Sequence, residues 1–122
     1  MANEISISVS LAASKNSASM SLTGTATQDM AGSDITQVTQ ELTTTPELLV
    51  LADVATPAAY IYIRNLETET NDIHVSLDSG ASQKFSTIKP GKFILISPSV
   101  AQNVYLSASA STARAQVGAV EA

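Results

Sequence analysis

The sequence contains no cysteine and no tryptophan. Without thiols, disulfides, thiolate metal sites and cysteine nucleophiles are all excluded. Zinc is implausible as well, because the chain has one histidine, His74. Aromatic residues are 4% of the chain, too few to furnish the ring platforms of a sugar-cleaving cleft. Charged residues are 14%, against roughly a quarter in an ordinary domain. The net charge is −5, and no basic stripe is present to meet a polyanion, so nucleic acid is not an expected partner. No window approaches the roughly 18 apolar residues of a membrane-spanning helix. The start Met1-Ala2-Asn3-Glu4 lacks the basic and then apolar pattern of a secretory leader. We therefore expect a protein made in a cytoplasm that inserts into no membrane.

What the chain has in quantity is small side chains. Ser and Thr together number 30 of the 122 residues, and Ala is also abundant. Such a surface, poor in charge, suits a protein that packs against copies of itself or against other proteins. The charge is unevenly spread. Residues 1–60 carry one base, Lys15, against six acids, whereas residues 61–122 carry five of each. At this length one domain is expected.

Alternation is the dominant pattern. Ile5, Ile7, Val9 and Leu11 interleave with Ser6, Ser8 and Ser10, the period of a strand with one apolar face. A turn at Ser14–Ser17 leads to a second alternating strand, Ala18 to Thr23. Gly24 to Ser33 loses the pattern and reads as loop or weak edge strand. Ile35 to Leu42 reads as a strand with Thr36, Val38, Gln40 and Leu42 on one side, and Glu47 to Leu51 as a short strand.

The second half is richer in β-branched residues. Strands are expected at Tyr60–Ile63, Ile73–Leu77, Lys84–Ile88, Phe93–Ile96, Val104–Leu106 and Ala113–Val120. In Lys89-Pro90-Gly91-Lys92, proline presets the second turn position and glycine supplies the positive φ of the third. Strands recur every ten to twelve residues with turns between them. The fold expected is all-β: an antiparallel β-sandwich or jelly-roll-like barrel, a single domain with an N-terminal strand arm. Residues 1–58 would supply the N-terminal strands and arm, either as part of the same sandwich or extending to a neighbour, and residues 59–122 the sandwich core. The core residues expected are Tyr60, Ile61, Ile63, Ile73, Val75, Leu77, Phe85, Phe93 and Leu95.

A search for chemistry returns little. His74 has many serines to choose among, so a Ser-His-Asp reading has no specificity. Glu67, Glu69, Asn71 and Asp72 bring oxygen ligands onto one loop, but not at the spacing of a calcium loop, and a solvated loop is expected. No catalytic, cofactor or metal residues are assigned, and no enzyme activity is expected. The strongest remaining signal is Ile5, Ile7, Val9 and Leu11. A flat, uncharged strand at a terminus can add to a neighbour's sheet. These four residues are the candidate interface, in an arm exchanged between subunits; the alternative is that the strand pairs inside its own domain. The small residues of 107–119 would likewise permit close packing of sheets.

One block carries a resemblance. It runs Tyr60-Ile61-Tyr62-Ile63-Arg64-Asn65-Leu66, then Ile73-His74-Val75-Ser76-Leu77-Asp78, then Phe85-Ser86-Thr87-Ile88-Lys89-Pro90-Gly91-Lys92-Phe93-Ile94-Leu95-Ile96. An apolar strand ending in Arg-Asn, a polar loop, a strand ending in Asp and a Lys-Pro-Gly hairpin follow one another. Over residues 59–121 this order resembles small structural proteins of tailed bacteriophages. The resemblance implies a non-enzymatic virion component with a β-sandwich fold, used in capsid decoration, the neck or the tail. It would associate with itself and dock on capsid or tail subunits. A carbohydrate-binding β-sandwich module is the alternative, and would require Tyr60, Tyr62 and Tyr105 side by side on the surface.

Overall fold

In the computed structural model, the structure describes residues 4–30, 35–49, 58–80, 84–97 and 104–121. Among these residues every regular element is a strand, and all pairing is antiparallel. The chain divides into two compact units, residues 1–31 and residues 32–122.

The first unit is a hairpin of two equal strands, β1 (Ile5–Lys15) and β2 (Ala18–Gln28). Eleven consecutive residue pairs, from Ile5 opposite Gln28 to Lys15 opposite Ala18, run without a bulge. Asn16 and Ser17 make the loop, and Asn16 takes a φ of 55°, a conformation that asparagine tolerates better than most residues. The second strand therefore runs through Gly24 to Gln28, the strand alternative of the two that the sequence left open there. Thr25 and Thr27 are β-branched and suit a strand, while Gly24 and Ala26 on the other face are too small to register as a hydrophobic pattern.

Among the described residues, the second unit contains eight strands: β3 (Ile35–Leu42), β4 (Glu47–Leu48), β5 (Ala58–Asn65), β6 (Ile73–Ser76), β7 (Lys84–Ile88), β8 (Phe93–Ile96), β9 (Tyr105–Ala108) and β10 (Ala113–Glu121). One sheet has the order β3-β10-β5-β8 and the other β4-β9-β6-β7. Counted within this unit, the orders are 1-8-3-6 and 2-7-4-5, which is the winding of a jelly roll. The two sheets remain separate, so the unit is a sandwich and not a closed barrel. β3 and β4 precede residue 58 and belong to these same two sheets. The expected strand from Glu47 to Leu51 is described only to Leu49, whose N–H donates to the carbonyl of Val104. The sequence also reads as a turn region from Asp53 to Ala58, around Pro57, and residues 53–57 lie outside the described residues.

One apolar cluster draws on both sheets. Leu42, Ile61 and Ile63 enter it from one side, and Ile73, Val75, Ile88, Leu106 and Ala108 from the other. The central strand β10 adds only Ala113, Ala115, Val117 and Ala119, all buried. The small face of this strand thus packs inside its own unit. It leaves the space between the layers to the larger Leu42, Ile63, Ile73, Ile88 and Leu106.

Of the expected core residues, Ile61, Ile63, Ile73 and Val75 are buried. Phe85, Phe93, Leu77 and Leu95 are exposed instead, and Tyr60 is half-buried. The reason is register. Arg64 lies opposite Phe93 and Ile63 opposite Ile94, so the inward face of β8 is Ile94 and Ile96. Leu77 lies past the end of β6, after a register shift between Val75 and Ser76.

The turn between β7 and β8 forms as the sequence requires. Lys92 N–H donates to Lys89 O at 2.9 Å, and Gly91 has a φ of 75°. Behind this turn sits Asn65, fully buried at the end of β5. Its Nδ2 donates to Asn71 O at 2.8 Å and to Ile88 O at 2.9 Å. Its Oδ1 accepts from Glu67 N–H at 2.9 Å. Its backbone N–H donates to Lys92 O, and its carbonyl accepts from Gly91 N–H.

Substituting Asn65 by Leu removes the partner of one buried backbone group, Ile88 O, and of two part-buried ones, Asn71 O and Glu67 N–H. An orphaned buried polar group costs about 1–3 kcal/mol, so Asn65→Leu is expected to destabilise the unit by roughly 2–5 kcal/mol in urea unfolding. Lys89→Ala removes only an exposed ion pair to Asp72 and is expected to cost about 1 kcal/mol or less. Equal losses from the two substitutions would contradict this assignment.

Candidate assembly interface

The loop of residues 67–72 illustrates how the structure consumes groups that sequence alone offers for chemistry. Glu67 accepts from the Arg114 N–H at 3.1 Å and lies 3.5 Å from its Nε. Asn71 Oδ1 accepts from the Ser109 hydroxyl and Ala110 N–H, and its Nδ2 donates to Thr112 O at 2.7 Å. Asp72 pairs with Lys89 at 2.8 Å. These side chains tie the loop to the β9–β10 corner and to the turn after β7. Among the described residues no cluster of three or more His, Asp or Glu side chains is placed to hold a metal.

His74 stands on β6 directly opposite Thr87 of β7, and its Nδ1 lies 3.1 Å from the Thr87 hydroxyl. Asp72 is engaged by Lys89, and no Ser-His-Asp arrangement forms around the ring among the described residues. Burial and the nearby Lys84 and Lys89 hold the His74 pKa below its ordinary value, against an opposing pull from Asp72. A folded pKa below the unfolded one means that the unfolded chain takes up the proton first. His74 therefore adds nothing at pH 7.5. It subtracts stability as pH falls below about 6.5, the ordinary histidine value, down to its folded pKa. His74→Gln is expected to shrink the loss in urea midpoint between pH 7.5 and 5.5. An unchanged loss would rule His74 out as its source.

The aromatic side chains divide between the sheets. Tyr60 and Tyr62 alternate with the buried Ile61 and Ile63 on β5 and so face outward, whereas Tyr105 lies on β9 in the other sheet. The three tyrosines are not side by side. Phe93 instead stacks on Tyr62, with centroids 5.7 Å apart and an interplanar angle of 28°. Leu95 pairs with Tyr62 on the same outer face.

The ribbon of β1 and β2 brings the expected interface residues together and adds others. Residues directly opposite in an antiparallel pair share a face. Ile7 stands opposite Ala26, Val9 opposite Gly24, Leu11 opposite Leu22 and Ala13 opposite Met20. One face is therefore apolar, and the other carries Ser6, Ser8, Ser10, Ser19, Ser21, Thr23, Thr25 and Thr27. Ile5 is buried and Ile7 half-buried, but Val9, Leu11, Met20 and Leu22 are 52%, 53%, 44% and 57% exposed. Met20 and Leu22 escape a reading of β1 alone; the signal for them is the second run of alternation.

The edges are equally open to pairing. β2 contains no charged residue and no proline, and the one charge in β1 is Lys15 at its end. Natural edge strands are usually blunted by charge, proline or bulges, and this ribbon has a charge only at its tip. At the base, Met30 N–H donates to Glu4 Oε2 at 3.2 Å. β1 is thus no lone strand: β2 occupies one of its edges, and its apolar face is exposed from Val9 and Leu11 across to Met20 and Leu22.

Comparison with known proteins gives no match: no family model, no curated protein and no solved structure is significantly similar to this chain.

Among the described residues, the apolar cluster of the second unit is built from Leu42 onward. A chain of residues 32–122 is expected to unfold as one cooperative transition, with a midpoint within a few degrees of the full chain. A broad, non-cooperative melt of that truncated chain would show that the ribbon is part of the fold.

Proposed function

We propose that this chain is a non-enzymatic structural protein of a bacteriophage virion, serving in capsid decoration, the neck or the tail. It acts by assembling with itself and by docking on other virion proteins. The observation that carries this reading is the ribbon, which exposes an apolar face and uncharged edges. A two-stranded sheet is marginal by itself in water, so this one gains its stability from what covers it. Two further features support the reading. The jelly roll is a fold used in capsids, though also in lectins, and fold alone does not select between them. The block from Tyr60 to Ile96, with its Arg-Asn step and Lys-Pro-Gly turn, resembles tailed-phage structural chains.

A second reading, a carbohydrate-binding module, is favoured by the exposed Phe93 ring stacked on Tyr62. Calorimetric titration with neutral oligosaccharides separates the two. Binding that disappears in Phe93→Ala would support the module.

The virion reading is tested by particles purified on a density gradient from a host strain carrying the gene. Mass spectrometry is expected to find the chain in the particle band at a fixed ratio to the major shell or tail protein. Its confinement to the soluble fraction, away from particles, would overturn the virion role.

A further inference from the structure

We propose that the apolar face of the β1–β2 ribbon packs against the same face of a second copy of this chain, with the tip of each ribbon at the base of the other. The inference rests on the self-assembling role proposed above and specifies its geometry.

A sheet with one apolar face is stable when that face meets another layer. A second ribbon supplies a matching layer. Two such ribbons stacked about 10 Å apart would enclose Val9, Leu11, Met20 and Leu22 of both copies. Their Ser and Thr faces would then both point to water. The small Ala13, Gly24 and Ala26 on the apolar face let the two layers approach.

Charge selects the orientation. Two-fold axes lying between the layers allow two face-to-face arrangements, tip to tip or tip to base. The tip carries Lys15, and the base carries Glu4 and Asp29, one residue beyond the Ile5–Gln28 pair. Tip to tip would set lysine beside lysine and acid beside acid. Tip to base brings each Lys15 to the level of the partner copy's strand ends, next to the acidic pair. The strand centres, Ser10 and Thr23, then lie at the level of the two-fold axis.

The footprint sets the strength. Eleven residues at about 3.4 Å and two strands about 4.8 Å apart give at most a face of roughly 37 Å by 10 Å, of which the end at Ile5 and Ile7 is already buried or half-buried. Even the whole face is about half of the ~800 Å² per partner in a stable interface. A dimer that dissociates on dilution is therefore expected.

The absence of native cysteine makes the test direct. In a tip-to-base pair Ile7 of one copy lies at the level of Ala13 of the other, three residues either side of the centre. In a tip-to-tip pair these two are about 20 Å apart along the strands, and each instead meets its own counterpart. Full-length Ile7→Cys and Ala13→Cys proteins are mixed and treated with a short bismaleimide. The geometry predicts that crosslinks joining one variant to the other form well above either homodimer. It also predicts a light-scattering mass near twice the chain mass at high concentration. Leu11→Lys with Leu22→Lys is expected to abolish both. Ser10→Lys with Ser21→Lys, on the polar face, is expected to leave the dimer intact, and the circular dichroism of both variants should show a folded sandwich.

Homodimeric crosslinks exceeding the mixed product, or a trimeric mass, would overturn the tip-to-base pairing while leaving self-assembly standing. A monomer at every concentration, uncrosslinked in all variants, would overturn this inference and the self-assembling reading together.

Discussion

The buried side chain of Asn65 is the constraint on which the jelly roll turns. It stands where β5 leaves one sheet and the chain crosses toward β6 in the other. An amide offers two donors and an acceptor, and here all three are used on backbone groups of separate segments. The crossing loop, the end of β7 and the start of that loop are fixed to one point. The residue's own backbone then holds the Lys89–Lys92 turn that returns the chain to β8. A sandwich whose strands alternate between sheets must bury polar backbone where the chain changes layer, and each buried group needs a partner. Asn65 supplies these partners with a single side chain, which is why it is buried among apolar residues without an unsatisfied atom.

The same constraint explains what was legible in the sequence. Local rules read true wherever one residue type has one physical use. The Pro-Gly pair dictated its turn, and the alternation of Val38, Gln40 and Leu42, and of Ile73 and Val75, dictated which face is inward. The run Phe93-Ile94-Leu95-Ile96 has no period, since all four residues are apolar. Its inward face depends on register with β5, and that register follows from the turn that Asn65 holds. Large aromatic side chains suggested the wrong face. The outer surface of the sheet accepted Phe93, where Tyr62 covers one side of the ring.

The loop of residues 67–72 is exposed at Thr68 to Thr70, but its ends are held by partners that the sequence does not reveal. Three acids and an asparagine in six residues look solvated, because composition carries no information about long-range partners. Asn71 bonds residues 38 to 41 positions away, and Glu67 one 47 away. These contacts close the corner between β9 and β10, where Ser111 takes a positive φ of 47°. Polar residues at a layer crossing are structural as often as chemical, and only the fold decides between them.

The two units show one sequence pattern meeting two fates. Alternation in β3 and β6 places an apolar face against a second sheet supplied by the same chain, so it becomes core. Alternation in β1 and β2 produces an equally apolar face, but the ribbon has only two strands and no second layer of its own. Its amphipathicity therefore cannot be explained by the folding of residues 1–31. The low charge of these strands fits the same logic, since a solvated ribbon gains by charge and an interfacial one loses by burying it. Lys15 and Glu4 stand only where the apolar rows end, so the charges bound the proposed contact surface. A ribbon serving merely as a spacer would have no reason to keep eleven pairs free of charge on either strand except at its tip.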